Sequence, residues 1–213
     1  FRTGILPEGD LSMGRASQAI PAIIEQTSAP PAESQEQQAL DAQSEAAKQI
    51  SDKLGRLAAI DADLAAVIKN VHVQVTSEGI VIDTVDEDKG LLFDSASSKL
   101  TEPLERFLRA FTPVLVALDK PIVINGHTDA RPFATGSRIS NWDLSYQRAA
   151  AAREILEGSG LPPRAIDGVF ARGSTQLYVP DQPYSPQNRR LTFLVKIAKP
   201  DGKPRKIQLN PAK

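Results

Sequence analysis

The sequence has no cysteine and no long apolar run. None of its 213 residues is cysteine, so no disulfide, thiolate nucleophile or cysteine-ligated metal site can form. No apolar run approaches the roughly 20 residues that a membrane-crossing helix requires. Only two histidines are present, and they form no His-x-x-x-His pair. These absences exclude thiol chemistry and the common histidine-based metal motifs.

Charges of the two signs nearly balance. The formal net charge is −1, so no global electrostatic field favours a nucleic acid as partner. Acidic residues outnumber basic ones over residues 1–70, and the balance reverses after that. The last stretch, 199–213, is basic, which predicts a solvated tail.

Residues 1–38 have the composition of a linker, rich in Gly, Pro, Ala, Ser, Gln and Glu. An amphipathic stretch at 11–26 lies inside this linker and has the periodicity of a short helix. A helix of this length is not stable alone in water. It therefore requires a partner surface or a membrane face.

A longer helix is predicted over residues 39–69, and we assign 39–70 to it as a second linker segment. Its apolar residues recur at spacings of three, four and seven. They are Leu40, Ala47, Ile50, Leu54, Leu57, Ile60 or Asp61, Leu64 and Ile68. Because this stripe resembles a heptad seam, the helix either pairs with a second copy or packs on the chain's own globular domain.

A globular domain is predicted over residues 71–198. From Val71 onwards, apolar and polar residues alternate as in a strand. Pro113 should kink the first domain helix or end its first half, and Gly158 should close the second helix. We expect strands at 71–76, 80–85, 121–127, 166–173 and 191–197, and helices at 101–118 and 141–157. This order predicts an α+β fold, a mixed α/β sandwich with a βαβαββ domain.

The strand at 122–127 leads into a polar tip that ends at Asp129. Ligand sites gather at such carboxyl ends of strands. In the following helix, Arg148 lies within the apolar stripe, four residues after Leu144. A guanidinium at the edge of a core requires a carboxylate. Its partner is either Asp129, in a plain salt bridge, or a ligand; alternatively, the Arg148 side chain extends to solvent.

Two further groups are candidate metal sites. His127 has no second ligand at a metal-binding spacing, so a hydrogen-bonded structural histidine is the simpler interpretation. Asp86, Asp88 and Gly90 resemble part of a calcium loop, but Ser97 stands where the loop requires Glu. A charged turn is the simpler interpretation there. No serine has a plausible histidine and acidic partner for nucleophilic catalysis.

Three ordered motifs resemble the OmpA-like peptidoglycan-binding domain. They are Gly-His-Thr-Asp at 126–129, Asn-Trp-Asp-Leu-Ser-Tyr-Gln-Arg-Ala at 141–149 and Asn-Arg-Arg at 188–190. The resemblance covers roughly residues 71–197. The segment 85–97 and the long loop between Asp129 and Asn141 are similar to those of flagellar stator proteins of the MotB type. Residues 1–70 match that type by position and not by motif.

The resemblance implies a ligand and its site. In this family the ligand is the diaminopimelate of the peptide stem, whose free end carries an ammonium and a carboxylate. The resemblance implies that Asp129 binds the ammonium and that Arg148 binds the carboxylate. Arginine suits this role because its planar guanidinium can bind a carboxylate in bidentate fashion. The resemblance also places in this pocket Asp94, Thr128, Leu144 and Arg189. Residues 188–190 equally suit strand pairing and salt bridges of the fold.

The resemblance further implies a non-enzymatic anchor, without cofactor or metal, that ties an ion-driven stator to the cell wall from the periplasm. The implied partners are a second copy in a homodimer, a MotA-type channel subunit and the flagellar P-ring. An inner-membrane helix is expected before Phe1, and the stretch 11–26 is either a channel plug or a disordered linker. The alternatives are another OmpA-like envelope tether, either a Pal-type lipoprotein or a secretion-system subunit, and a cell-wall enzyme, for which no catalytic constellation exists.

Overall fold

The computed structural model describes residues 32–87, 90–94 and 97–197. The predicted helix at 11–26, most of the linker 1–38 and the basic tail 199–213 lie outside these residues. Within the described part of the chain, no helix is long and apolar enough to cross a membrane.

Four helices and five strands make up the described fold. They are α1 (Ala32–Ile60), α2 (Ala62–Ile68), β1 (Val71–Thr76), β2 (Gly79–Val85), α3 (Glu102–Leu118), β3 (Ile122–His127), α4 (Asn141–Gly158), β4 (Ile166–Gly173) and β5 (Arg190–Lys196). The strands form one sheet in the order β1-β2-β5-β3-β4. Only the β3–β4 pair is parallel. The predicted α+β sandwich with its βαβαββ order is confirmed.

The helix predicted over residues 39–69 differs from the prediction at its start and in its continuity. It begins at Ala32, and Asp61 divides it into α1 and α2. Asp61 has an extended backbone, and its Oδ1 accepts hydrogen bonds from the backbone N–H groups of Asp63 (2.9 Å) and Leu64 (3.2 Å). The carboxylate caps α2 because it satisfies N–H groups that have no partner inside the helix.

The apolar stripe of α1 and α2 packs on the chain's own domain. Its buried members are Ile50, Leu54, Leu64 and Val67. They belong to the same core as the apolar face of α3 and the inner face of the sheet. Each buried aliphatic side chain of this size contributes about 1.5–3 kcal/mol of transfer free energy. Of the two arrangements that the sequence left open, the structure has the helix on its own domain.

Helix α3 is continuous, so the prediction that Pro113 would end its first half is wrong. Pro113 is exposed, so the proline ring lies on the solvent-facing side of the helix and not in the core. The opposite face of α3 anchors it through side chains that are at most 1% exposed. These are Leu104, Phe107, Leu108, Phe111 and Leu115.

A close approach of α4 to β3 sets the geometry of the strand tip. A Cβ atom on Gly126 would lie 1.9 Å from the carbonyl oxygen of Ser145, so only glycine fits there. Helix α4 starts at a capping box, in which Ser140 and Asp143 bond each other's backbone N–H groups. Its last residue is Gly158, and the positive φ near its end belongs to Gly160 (107°).

Candidate ligand-binding cavity

A cavity of about 230 Å³ lies where β3 ends and α4 begins. It is lined by Thr128, Asp129, Arg131, Pro132, Phe133, Asn141, Leu144, Arg148 and Arg189. Of the six side chains expected there from the sequence, all but that of Asp94 line it. Asp94 is exposed and contributes only its backbone carbonyl, to Arg148.

Arg148 is 1% exposed, so the alternative that its side chain extends to solvent is wrong. Its Nε donates to the carbonyl of Ser97 (3.0 Å) and its Nη2 to that of Asp94 (3.2 Å). The guanidinium carbon lies 4.2 Å from the centroid of the Phe93 ring. Burial, assisted by the charge of Arg189, lowers the pKa of Arg148 to about 10, so it remains charged at neutral pH. Its Nη1 has no hydrogen-bond partner among the described residues.

The expected salt bridge between Asp129 and Arg148 is absent from the described part of the chain, so that alternative is wrong too. Asp129 Oδ1 accepts the backbone N–H of Arg131 (3.1 Å), and its Oδ2 lies 3.9 Å from Nη1 of Arg189. The guanidinium of Arg148 is instead directed to two backbone carbonyls and the Phe93 ring. The cavity therefore holds an acidic and a basic group that do not neutralise each other by direct contact.

Arg189 joins this site to a buried carboxylate that the sequence interpretation missed. Oδ2 of Asp86 accepts from Nε (3.0 Å) and Nη2 (2.7 Å) of Arg189. Asp86 is 0% exposed; burial raises its pKa, while the charge of Arg189 acts against that rise. Interpreting Asp86 as part of a charged turn was wrong, because the tertiary contact with Arg189, together with the backbone N–H of Leu92 (3.4 Å), allows the carboxylate to be buried here. Arg189 thus serves the fold and the cavity together.

The two neighbours of Arg189 in the 188–190 motif serve the fold. Asn188 is fully buried; its Oδ1 accepts from Val179 N–H (2.9 Å), and its Nδ2 donates to the carbonyl of Gln182 (2.8 Å). Arg190 donates to the carbonyl of Gln176 (2.9 Å). These bonds link parts of the loop between β4 and β5 to each other and tie that loop to the first residue of β5.

Thr128 and Leu144 form the inner wall of the cavity. Thr128 is 2% exposed, and its Oγ1 has no hydrogen-bond partner among the residues described. Its backbone N–H donates to the carbonyl of Gly173 (2.9 Å), which ties the tip of β3 to β4. Leu144 is 4% exposed and presents an apolar surface. A buried hydroxyl beside an apolar side chain is typical of a wall that contacts a ligand.

The sequence interpretation missed part of the outer wall, which comes from the loop between β3 and α4. Arg131, Pro132 and Phe133 contribute to it, and so does Asn141. Nδ2 of Asn141 donates to the carbonyl of Arg131 (3.1 Å). Their place in the sequence could have indicated them, because these residues directly follow Asp129 or begin the next helix.

His127 lies on the sheet next to the cavity and does not line it. It is 2% exposed, and its Nε2 is 3.3 Å from Oγ1 of Thr192. Burial, reinforced by the charges of Arg190 and Arg172, lowers the pKa of His127 to about 3, so the ring is neutral at neutral pH. No group of three or more potential metal ligands occurs in the described ranges. The contacts agree with a structural histidine.

A charged cavity at the carboxyl end of a strand is the geometry of a ligand-binding module. Residues 92–190 match the OmpA family. The chain is 31% identical over 154 residues to truncated flagellar export/assembly protein LafU of Escherichia coli K12, covering 70% of this chain and 71% of that protein. It is 30% identical over 149 residues to Motility protein B of the same strain, covering 70% of this chain and 48% of that protein. The chain belongs to the OmpA family.

The chain spans about half the length of Motility protein B. Among solved structures, a MotB-like protein from Desulfovibrio vulgaris has a TM-score of 0.61 at 17% identity, covering 76% of this chain and 99% of that chain. The periplasmic domain of Helicobacter pylori MotB has a TM-score of 0.52 at 20% identity, and the match covers 60% of this chain and 89% of that chain. The cell wall anchor of the T6SS from Pseudomonas aeruginosa has a TM-score of 0.54 at 26% identity, and the match covers 68% of this chain and 97% of that chain. These findings confirm the resemblance to the OmpA-like domain and to the MotB type.

Proposed function

We propose that the chain binds the peptide stem of peptidoglycan without catalysis, as the wall-binding part of a flagellar stator protein. One observation carries the proposal: the cavity holds a carboxylate and a guanidinium that do not pair with each other. Nη1 of Arg148 and Oγ1 of Thr128, both buried, have no partner among the described residues. Leaving such a group unsatisfied costs about 1–3 kcal/mol, and a polar ligand removes that cost.

The free end of diaminopimelate has the charges that this cavity complements. Its ammonium binds Asp129, and its carboxylate accepts from Nη1 of Arg148 and from Oγ1 of Thr128. Arg189, whose Nη1 lies 3.9 Å from Oδ2 of Asp129, helps to orient that carboxylate, while Asp86 offsets the second positive charge. Leu144 contacts the methylene groups of the ligand. Asp94 acts indirectly, because its carbonyl orients Arg148.

The stator assignment rests on the named relatives and on the composition of the chain. Motility protein B and LafU support a role in the flagellar motor. We propose that the chain faces the wall from the periplasm, is anchored to the inner membrane by a helix outside this sequence, and contacts a MotA-type channel subunit. A homodimer, a contact with the flagellar P-ring and a channel plug at 11–26 belong to the same proposal.

A second candidate function is a wall anchor in a secretion system. The cell wall anchor of the T6SS from Pseudomonas aeruginosa, at 26% identity and 97% coverage of that chain, favours it. Both candidates use the same cavity and the same ligand. They differ in cells, because deletion of the gene abolishes swimming in one case and secretion in the other.

The cavity assignment is tested by sedimentation with purified peptidoglycan. Asp129→Asn keeps the acceptor for the Arg131 N–H and removes the charge; Arg148→Lys keeps the charge and removes the planar fork. Asp129→Asn loses a charged partner in a desolvated site, which costs about 2–5 kcal/mol, so this variant should bind roughly 30-fold or more weakly. Arg148→Lys keeps the charge but loses the N–H donors of Nη1, so it should also bind more weakly than the control. Asp167→Asn, an exposed change on β4 outside the cavity, is the matched control. Binding by both cavity variants at the level of this control rules the site out.

Catalysis is tested separately. We expect incubation of the chain with peptidoglycan to release no soluble muropeptides above the level of a heat-denatured sample. Release of muropeptides above that level would contradict the proposed anchor and would indicate a cell-wall enzyme.

A further inference from the structure

One cation at the mouth of the cavity has no role in holding a zwitterion. Apart from Arg131, the charged groups that line the cavity or support it from behind are Asp86, Asp129, Arg148 and Arg189, two of each sign. A bound ammonium and carboxylate also sum to zero. Arg131, which lines the same cavity, therefore adds a positive charge that neither the protein nor the zwitterionic end balances.

The backbone of Arg131 is held in place while its side chain is free. Its N–H donates to Oδ1 of Asp129 and its carbonyl accepts from Nδ2 of Asn141. The preceding residue, Ala130, donates its N–H to the carbonyl of Pro183 (2.9 Å). The guanidinium of Arg131 makes no hydrogen bond or ion pair with any described residue, and the residue is exposed. Because the backbone is already held, binding of an anion has to order only the side chain of Arg131.

We propose that Arg131 binds a second carboxylate of the peptide stem, that of the D-glutamate next to diaminopimelate, and so selects stems in which this group is free over stems in which it is an amide. The inference rests on the proposed function. Arg131 lies two residues after Asp129, at most about 7 Å further along the chain. The D-glutamate carboxylate is separated from the ammonium that Asp129 holds by the methylene chain of diaminopimelate, one amide bond and the methylenes of D-glutamate, which is much more than one peptide unit. The displacement of Arg131 along the chain and the length of its unpaired side chain add together, so its guanidinium can reach a carboxylate that far along the stem. An amide carries no charge and leaves the surplus cation unbalanced.

The test uses two synthetic tripeptides, L-Ala-γ-D-Glu-diaminopimelate and the same peptide with D-isoglutamine in second place. Titration calorimetry with the wild-type chain should give about fivefold tighter binding of the free acid, as for an exposed ion pair. This ratio should fall as salt is raised, because exposed charges are screened. In Arg131→Gln the ratio should fall to near one. Arg138→Gln removes an exposed arginine of the same loop outside the cavity and should keep the wild-type ratio.

The outcomes separate this inference from the proposed function. If the wild-type chain binds neither peptide, the proposed function is wrong and the role of Arg131 falls with it. If it binds both equally, or if Arg131→Gln keeps the wild-type ratio, the chain is a stem binder and the selection by Arg131 is wrong. If Arg138→Gln loses the ratio as well, the selection comes from the overall charge of the loop and the assignment to Arg131 is overturned.

Discussion

At the scale of single residues, Arg148 combines two tasks. Its Nε and Nη2 fasten the segment before α3 through the carbonyls of Ser97 and Asp94, and its guanidinium lies on the Phe93 ring. Only Nη1 remains for a ligand among the residues described. A substitution that removes the whole side chain therefore changes the fold as well as the site. This is why the binding test uses lysine at this position.

We predict that Arg148→Ala lowers the free energy of unfolding by about 2–4 kcal/mol, because two carbonyls lose their donor and Phe93 loses its cover. Urea unfolding followed by circular dichroism measures it. Arg153→Ala, which removes a half-exposed pair with Glu157 on the same helix, should change stability by at most about 0.5 kcal/mol. Equal stability of the two variants would mean that the contacts of Arg148 contribute nothing to the fold.

His127 predicts a dependence of stability on pH. The pKa of His127 is about 3 in the folded chain and 6.5 for a free histidine side chain, so the unfolded chain binds more protons between these values. Its contribution is fully present above pH 6.5 and is lost as the pH falls towards 3, by up to about 1.4 kcal/mol per pH unit. His127→Gln should flatten the stability curve in this window. An unchanged slope in urea titrations from pH 3.5 to 7 would contradict the prediction.

At the scale of elements, Asp61 decides where one helix becomes two. One carboxylate oxygen caps α2, and the other accepts from Nη2 of Arg106 on α3 at 2.6 Å. Nη1 of Arg106 reaches Asp63 at 2.7 Å. These bonds raise the pKa of Arg106, the hydrogen bond to Asp63 being the largest cause. The junction of α1 and α2 is thus fastened to the domain at its polar side, while Leu64 and Val67 bury its apolar side.

The cap and the ion pair of Asp61 can be separated. Asp61→Asn keeps a side-chain oxygen for the cap, whereas Asp61→Ala removes it, which costs about 0.5–2 kcal/mol. We therefore predict that hydrogen exchange of the α2 amides is faster in Asp61→Ala than in Asp61→Asn. If both variants exchange alike, the ion pair and not the cap stabilises the start of α2.

At the scale of the whole described molecule, α1 and α2 are part of the domain's core and not a separate tether. Ile50 and Leu54 are 1% and 4% exposed, so their seam is not available to a second copy in this arrangement. Leu40 (45% exposed) and Ile60 (84% exposed) remain open on α1. We hypothesise that the proposed stator function includes a switch between this compact arrangement and an extended one in which α1 and α2 leave the domain. Such a switch has to release the seam from the domain, at the cost of its burial.

Locking the compact arrangement tests this switch. The chain has no native cysteine, so Asp63→Cys and Arg106→Cys, whose wild-type side chains touch, can be joined by a short bifunctional maleimide. We predict that the joined chain binds soluble muropeptide like the unjoined variant, because the cavity is elsewhere, and that the same crosslink in the intact protein stops swimming. Normal swimming with complete crosslinking would show that no release is needed.

The homodimer stays a prediction. Light scattering over a concentration series should show a dimer or an exchange between monomer and dimer, and Ile60→Asp should weaken it if α1 takes part. A strict monomer at high concentration would restrict the role of the α1 stripe to packing on its own domain.

The sequence by itself determined the order and type of the elements and the position of the cavity. Strand alternation from Val71, the helical stripe of α4 and the polar tip at Asp129 are local patterns, because they depend on spacing within one element. The break at Asp61 was missed because a capping residue inside an apolar stripe does not alter the spacing of the apolar residues on either side of it. Local periodicity also did not reveal that α3 continues through Pro113.

Only the tertiary structure decided which charges meet. Arg148 bonds carbonyls 51 and 54 residues away, and Arg189 bonds Asp86 across 103 residues. Such pairs depend on how α4, β5 and the segment after β2 pack together, and no spacing within a single element encodes that packing. Burial then decides the outcome, since a charge removed from water must take the partners that the packed core offers. For that reason Asp129 and Arg148 share a cavity without pairing, which leaves both groups able to receive a ligand.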